Sequence, residues 1–137
     1  MKIVLMDLVN SHGELIYNFL SKYTEVLWLD AKNLEISLLY CSKLKDKIIC
    51  CPLAWEIDSE TNKEYISNIT KNNIMISSYD DKLLYPWSYN GVVPACSNIQ
   101  LEVDNNVIMT GTSAHCAYLS ILALYNPNYI IKRANIN

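Results

Sequence analysis

The stretch Ile3-Val4-Leu5-Met6-Asp7-Leu8-Val9-Asn10-Ser11-His12-Gly13-Glu14-Leu15-Ile16 decides the fold. Its first residues, Ile3 to Asp7, form a short apolar run that ends in a carboxylate. The run has strand length, and its unbroken apolar character suits a strand covered on both faces. Ser11 and Glu14 then have the S-x-x-E form of a capping box, and Leu15, Ile16, Phe19 and Leu20 recur at helical spacing. A buried strand passing at once into an amphipathic helix is the first half of a strand–helix–strand unit.

Working outward, the same alternation repeats. Val26 to Asp30, Lys47 to Cys51 and Ile74 to Ser77 are further runs of strand length. Ala31 to Leu44 carries Leu34, Leu38, Leu39 and Cys41 on one stripe. Ser59 to Asn72 carries Tyr65, Ile66 and Ile69, with Glu60 near its start. Strand and helix thus alternate three times before a fourth strand, which predicts an α/β protein: three layers, with a mostly parallel sheet flanked by helices. Leu83 to Tyr89 is turn-rich, Val92 to Cys96 reads as another strand, and Val107 to Met109 is a short apolar run before Thr110-Gly111. Ala114 to Tyr125 is apolar on nearly every face, as a buried central helix is, and Asn126-Pro127 ends it. No repeat or linker interrupts the chain, so residues 1–137 are expected to form one compact domain.

Composition narrows the function. Hydrophobic residues make up 51% of the chain and charged residues 18%, which is a globular rather than a disordered balance. The net charge of -3 and the lack of a Lys/Arg run argue against a nucleic-acid partner. Lys43, Lys45 and Lys47 read as the polar end of a helix. No apolar run approaches the roughly 18 residues of a membrane span, and Met1 to Asp7 is too short for a signal peptide. Five Cys, two of them adjacent at Cys50-Cys51, do not make a disulfide framework, so a cytoplasmic protein is expected. No spacing fits a metal site, and no cofactor is implied.

Three polar residues stand where strands meet helices: Asp7, His12 and Ser113. In an open parallel sheet, ligands bind beyond the carboxyl ends of the strands. The three residue types suit acyl transfer. A serine hydroxyl needs an imidazole to take its proton, and a carboxylate fixes the imidazole's tautomer and stabilises its charged form. Backbone N–H groups at a helix start favour a developing oxyanion beside Ser113. Each residue also has a plain structural role to weigh: Asp7 as a turn cap, His12 as a first-turn residue, and Ser113 as a helix N-cap.

Gly111-Thr112-Ser113 before an apolar helix resembles the nucleophile motif of the subtilisin-like serine peptidases. Ile3 to Asp7 resembles that family's first strand with its catalytic aspartate, and His12-Gly13 its histidine–glycine pair. Tyr85-Pro86-Trp87-Ser88-Tyr89 followed by Val92-Val93 resembles its Y-P-A-x-Y segment. The pieces fall in the family's order, Asp…His…Ser. The resemblance implies a subtilisin-like domain, an Asp7–His12–Ser113 triad and peptide or protein substrates bound as an extended strand; the pro-segment common in the family is not expected here. Processing of a peptide precursor fits this reading, with a second copy or a partner protein completing the groove.

The chain departs from the family pattern in several places. Leu8-Val9 replaces the usual Ser/Thr-Gly, Asp80 falls approximately at the oxyanion asparagine, and His115 and Ala117 replace the residues after the serine. Two alternatives follow. One is a degenerate module that binds a peptide or protein without cutting it. The other is a caspase-like cysteine peptidase that uses His12 and Cys96 in Ala95-Cys96-Ser97.

Overall fold

The computed structural model describes residues 2–52, 62–78 and 91–134. The alternation expected from the sequence is present. Strand β1 (Ile3–Asp7) leads to α1 (Ser11–Ser21), β2 (Val26–Asp30) to α2 (Leu34–Ser42), and β3 (Ile48–Cys51) to α3 (Lys63–Asn72) and β4 (Ile74–Ser78). After β5 (Val92–Ala95) come a hairpin of β6 (Ile99–Val103) and β7 (Asn106–Gly111), then α4 (Thr112–Tyr125) and α5 (Pro127–Ala134).

Strands β1 to β5 form one parallel sheet in the order β2-β1-β3-β4-β5. Successive side chains on a strand point to opposite faces, and the two faces have separate cores. Leu5, Cys50, Ile76 and Val93 pack with Ile16 and Leu20 of α1 and with Ala117 and Leu119 of α4. On the other face, Val4, Met6, Ile49 and Met75 pack with Leu38 of α2 and with Ile66 and Ile69 of α3. The α/β, three-layer expectation therefore holds at this level, and α1 and α4 share a face.

Several local readings need correction. Asn10, not Ser11, caps α1: its side chain accepts from the Gly13 N–H at 2.9 Å, and Ser11 is already helical. Leu39 is 41% exposed, because α2 spans only Leu34–Ser42 and its buried positions are Ser37, Leu38 and Cys41. Lys45 and Lys47 lie beyond the end of α2 rather than at a helix end. The fifth strand stops at Ala95, before Cys96.

The hairpin was half-seen. Only Val107 to Met109 stood out in the sequence, because β6 is a mixed polar strand. Asp104 and Asn105, both with positive φ, form its two-residue turn, a conformation Asn and Asp tolerate well. Helix α4 begins at Thr112, two residues earlier than its apolar run. Its interior is buried as expected, with Tyr118 and Tyr125 as exposed exceptions.

Candidate functional site

The β1–α1 connection is built from a chain of short hydrogen bonds. The Leu8 N–H donates to Asp7 Oδ1 at 2.8 Å and the Asn10 N–H to the Leu8 carbonyl at 3.1 Å. The Asn10 side chain then receives the Gly13 N–H. Gly13 is needed here, because a Cβ would collide with the Leu8 carbonyl and lie 2.8 Å from Trp28 Cζ2. The turn brings His12 back over the end of β1, where His12 Nδ1 lies 3.5 Å from Asp7 Oδ2. That distance is at the outer edge of hydrogen bonding. Catalytic contacts are often this loose until substrate binds.

Asp7 is buried and His12 about half exposed. Burial raises the Asp7 carboxyl above its ordinary value, and the Leu8 N–H and His12 offset only part of that rise. Asp7 Oδ2 has no hydrogen bond among the described residues. A buried carboxylate oxygen facing only an imidazole is costly unless the imidazole carries its proton.

Ser113 sits in the first turn of α4, half-buried, on the sheet face that Asp7 also occupies. Register fixes the geometry across the sheet. Leu5 pairs with Cys50 and Cys50 with Ile76, so Asp7 and Ser78 end their strands at one level. They are two strand spacings apart, about 10 Å. The Ser78 hydroxyl donates to the Thr112 carbonyl at 3.4 Å, which anchors the start of α4 over this edge. A carboxylate–imidazole–hydroxyl relay with two hydrogen bonds spans roughly 8 Å. The three residues thus share one edge and one face of the sheet. Asp7 and His12 are in contact, whereas no hydrogen bond joins Ser113 to His12 among the described residues.

Gly111 precedes α4 with φ +99° and ψ -166°, a region essentially restricted to glycine. The sharp exit it allows passes the chain from β7 into α4 without a linker. His115, in the next turn, is buried, and its Nδ1 accepts the Ser97 N–H at 3.1 Å. It ties the β5–β6 loop to α4.

Other residues singled out in the sequence fall as follows. Cys96 is exposed beyond β5, three strand spacings from β1, or about 14 Å. Cys41, Cys50, Cys51 and Cys116 are buried, with Cys50 and Cys116 Sγ atoms 3.7 Å apart. Asp80, Glu60 and the Tyr85 to Tyr89 segment lie outside the described residues. Trp28 packs against the core on the α1 and α4 face and also donates its indole N–H to the Asp7 carbonyl at 3.2 Å. Sequence reasoning missed this bond and the Ser78–Thr112 contact, because neither leaves a local pattern. The Asn10 cap had a signal, since asparagine is a preferred N-cap residue, but the capping-box pattern placed the cap one residue later at Ser11.

A cleft of about 550 Å³ opens at the opposite edge of the sheet, between Lys2, Lys47, Lys71, Ile48, Ile74 and Ile131. It lies beside the C-terminal end of α3, where lysines compensate the negative end of the helix dipole. The Asp46 carboxylate also lines it, and among the described residues no histidine, serine or cysteine joins it there. Among the described residues no helix is long and apolar enough to cross a membrane. In comparisons with family models, with curated proteins and with solved structures, nothing matches the chain.

Proposed function

We propose that the chain is a subtilisin-like serine peptidase that cleaves peptide bonds through Ser113, His12 and Asp7. The observation that carries this reading is the Asp7–His12 contact of 3.5 Å at the carboxyl edge of β1, on the sheet face covered by the helix that Ser113 opens. In the reaction, Ser113 Oγ attacks the scissile carbonyl carbon while His12 Nε2 takes its proton. Asp7, facing Nδ1, offsets the imidazolium charge. The carbonyl oxygen becomes an oxyanion, held by N–H groups at the start of α4. As the C–N bond breaks, His12 returns the proton to the leaving amine, and an acyl-Ser113 ester remains. Water attacks the ester with His12 again acting as base, which releases the acid and restores the serine.

A peptide or protein is the substrate on this reading, and a second copy or partner chain completing the groove is compatible with it. The cysteine alternative is less favoured, since Cys96 lies about one strand spacing farther from β1 than the Ser78–Thr112 edge does. The non-cutting alternative draws support from the looseness of the Asp7–His12 contact and from the departures around Asp80.

A fluorophosphonate probe tests the proposal directly, with intact mass and peptide mapping of the adduct. Labelling at Ser113 that is lost in His12→Ala is the expected result. A folded protein that takes up no label at Ser113 and binds peptides unchanged would sink the peptidase reading in favour of the binding module. Label on Cys96 from a thiol-directed peptide probe, with cleavage lost in Cys96→Ala, would favour the cysteine reading.

A further inference from the structure

Trp28 stands on β2, next to the catalytic strand, and its indole meets three parts of the β1–α1 junction at once. Its Nε1–H donates to the Asp7 carbonyl at 3.2 Å, alongside the Ala31 N–H at 3.1 Å. Its six-membered ring leaves no room for a side chain at position 13, next to His12. The ring also stacks on Tyr17 of the same helix, with centroids 5.2 Å apart and planes 23° from parallel. A tryptophan used only for burial does not need these directional contacts, and β2 is an edge strand whose residues are half-exposed or exposed.

We infer that Trp28 is a positioning residue for the Asp7–His12 pair. The inference rests on the peptidase reading above. The indole N–H fixes the peptide plane after Asp7, the point at which the chain leaves the sheet. The ring face and Tyr17 fix the roll of α1 about its axis. Together they set the separation of the Asp7 carboxylate and the His12 imidazole from both sides. The Asp7 backbone cannot shift toward solvent without losing its hydrogen bond to the indole, and α1 cannot roll without disturbing the Tyr17 stack. A small displacement at such a junction affects the rate strongly, since an error of about 1 Å in catalytic placement can cost up to 10²-fold.

Trp28→Phe keeps an aromatic ring on Tyr17 but removes the N–H. Tyr17→Leu keeps the N–H and removes the stacking partner. The measurement is the rate of fluorophosphonate labelling at Ser113 against probe concentration, which separates the limiting rate from probe affinity. Thermal unfolding of each variant is followed alongside. Trp28→Phe is expected to lower the limiting rate by roughly 10-fold, with probe affinity and fold retained. Tyr17→Leu is expected to lose stability with a smaller change in rate. An unchanged limiting rate in folded Trp28→Phe would overturn the inference. So would a loss of rate in Tyr17→Leu equal to that in Trp28→Phe, because packing alone would then explain it. Absence of any Ser113 labelling in the wild-type protein would remove the peptidase reading, and the role of Trp28 with it.

Discussion

His12 Nδ1 faces Asp7 Oδ2 at 3.5 Å across a turn in which the Leu8, Asn10 and Gly13 N–H groups each donate a hydrogen bond. The carboxylate is buried and the imidazole about half exposed, so the histidine is the member of the pair within reach of a ligand.

Burial holds the Asp7 carboxyl above its ordinary 3.8, so its charged form is the one folding disfavours. With the folded value raised, the stability that neutral Asp7 contributes is present in acid and lost as pH rises through that folded value. Asp7→Asn mimics the neutral form. It should match the wild type in stability in acid and equal or exceed it near neutrality, as read by urea unfolding across pH. Its labelling rate at Ser113 should fall by on the order of 10³-fold or more. A substitution that stabilises the fold while abolishing activity marks a residue kept for chemistry.

Gly13→Ala places a methyl group against the Leu8 carbonyl and the Trp28 ring. The expected loss is about 1–3 kcal/mol, the usual range for overpacking, measured by thermal or denaturant unfolding. Labelling should slow as well, since relief of the clash requires α1 to move away from β1.

Gly111→Ala acts on the other side of the site. A backbone at φ +99° and ψ -166° is strained for any L side chain, and the cost is about 1–3 kcal/mol. Because Gly111 leads straight into the serine's helix, the variant should show both a lower unfolding midpoint and slower labelling. An unchanged midpoint would argue against the sharp β7–α4 exit.

Thiol chemistry separates the five cysteines. Cys96 alone is exposed. Burial raises the Cys41 thiol to about 12 and the Cys116 thiol well above its ordinary value, with Cys50 beside Cys116 adding to the rise. One thiol should therefore react with a disulfide reagent in the native protein and five after denaturation. Capping Cys96 with iodoacetamide should leave the labelling of Ser113 unchanged. A loss on capping would revive the cysteine alternative.

The sheet was legible because its strands are continuous apolar runs, which β1, β3 and β5 bury along their whole length. Ile3 to Asp7 and Val26 to Asp30 have the ends read from their apolar runs, and the helices between them show helical periodicity. The hairpin was less legible. Strand β6, Ile99-Gln100-Leu101-Glu102-Val103, carries its signal only in alternation, and its turn only in Asp104-Asn105. The cap of α1 was misplaced by one residue because Ser11 and Asn10 are both good caps, and the hydrogen bond to Gly13 decides between them. Asp7, His12 and Ser113 stand out as candidates because strand ends and helix starts are marked in sequence. The partners that hold them, Trp28 and Ser78, come from other strands. Contacts that depend on register across a sheet leave no trace along the chain.

The closeness of α1 and α4 has a consequence for how the protein comes into being. Helix α1 follows the first strand, while α4 follows the last and closes over β3, β4 and β5 on the same face. Two helices far apart in the sequence must therefore meet, and such long-range closure is slow. On the peptidase reading, a nascent chain displays the acid and the base but has no nucleophile. On that same reading hydrolytic capacity would arrive only when α4 docks over the sheet, so the order in which the segments emerge would protect neighbouring chains from premature cleavage.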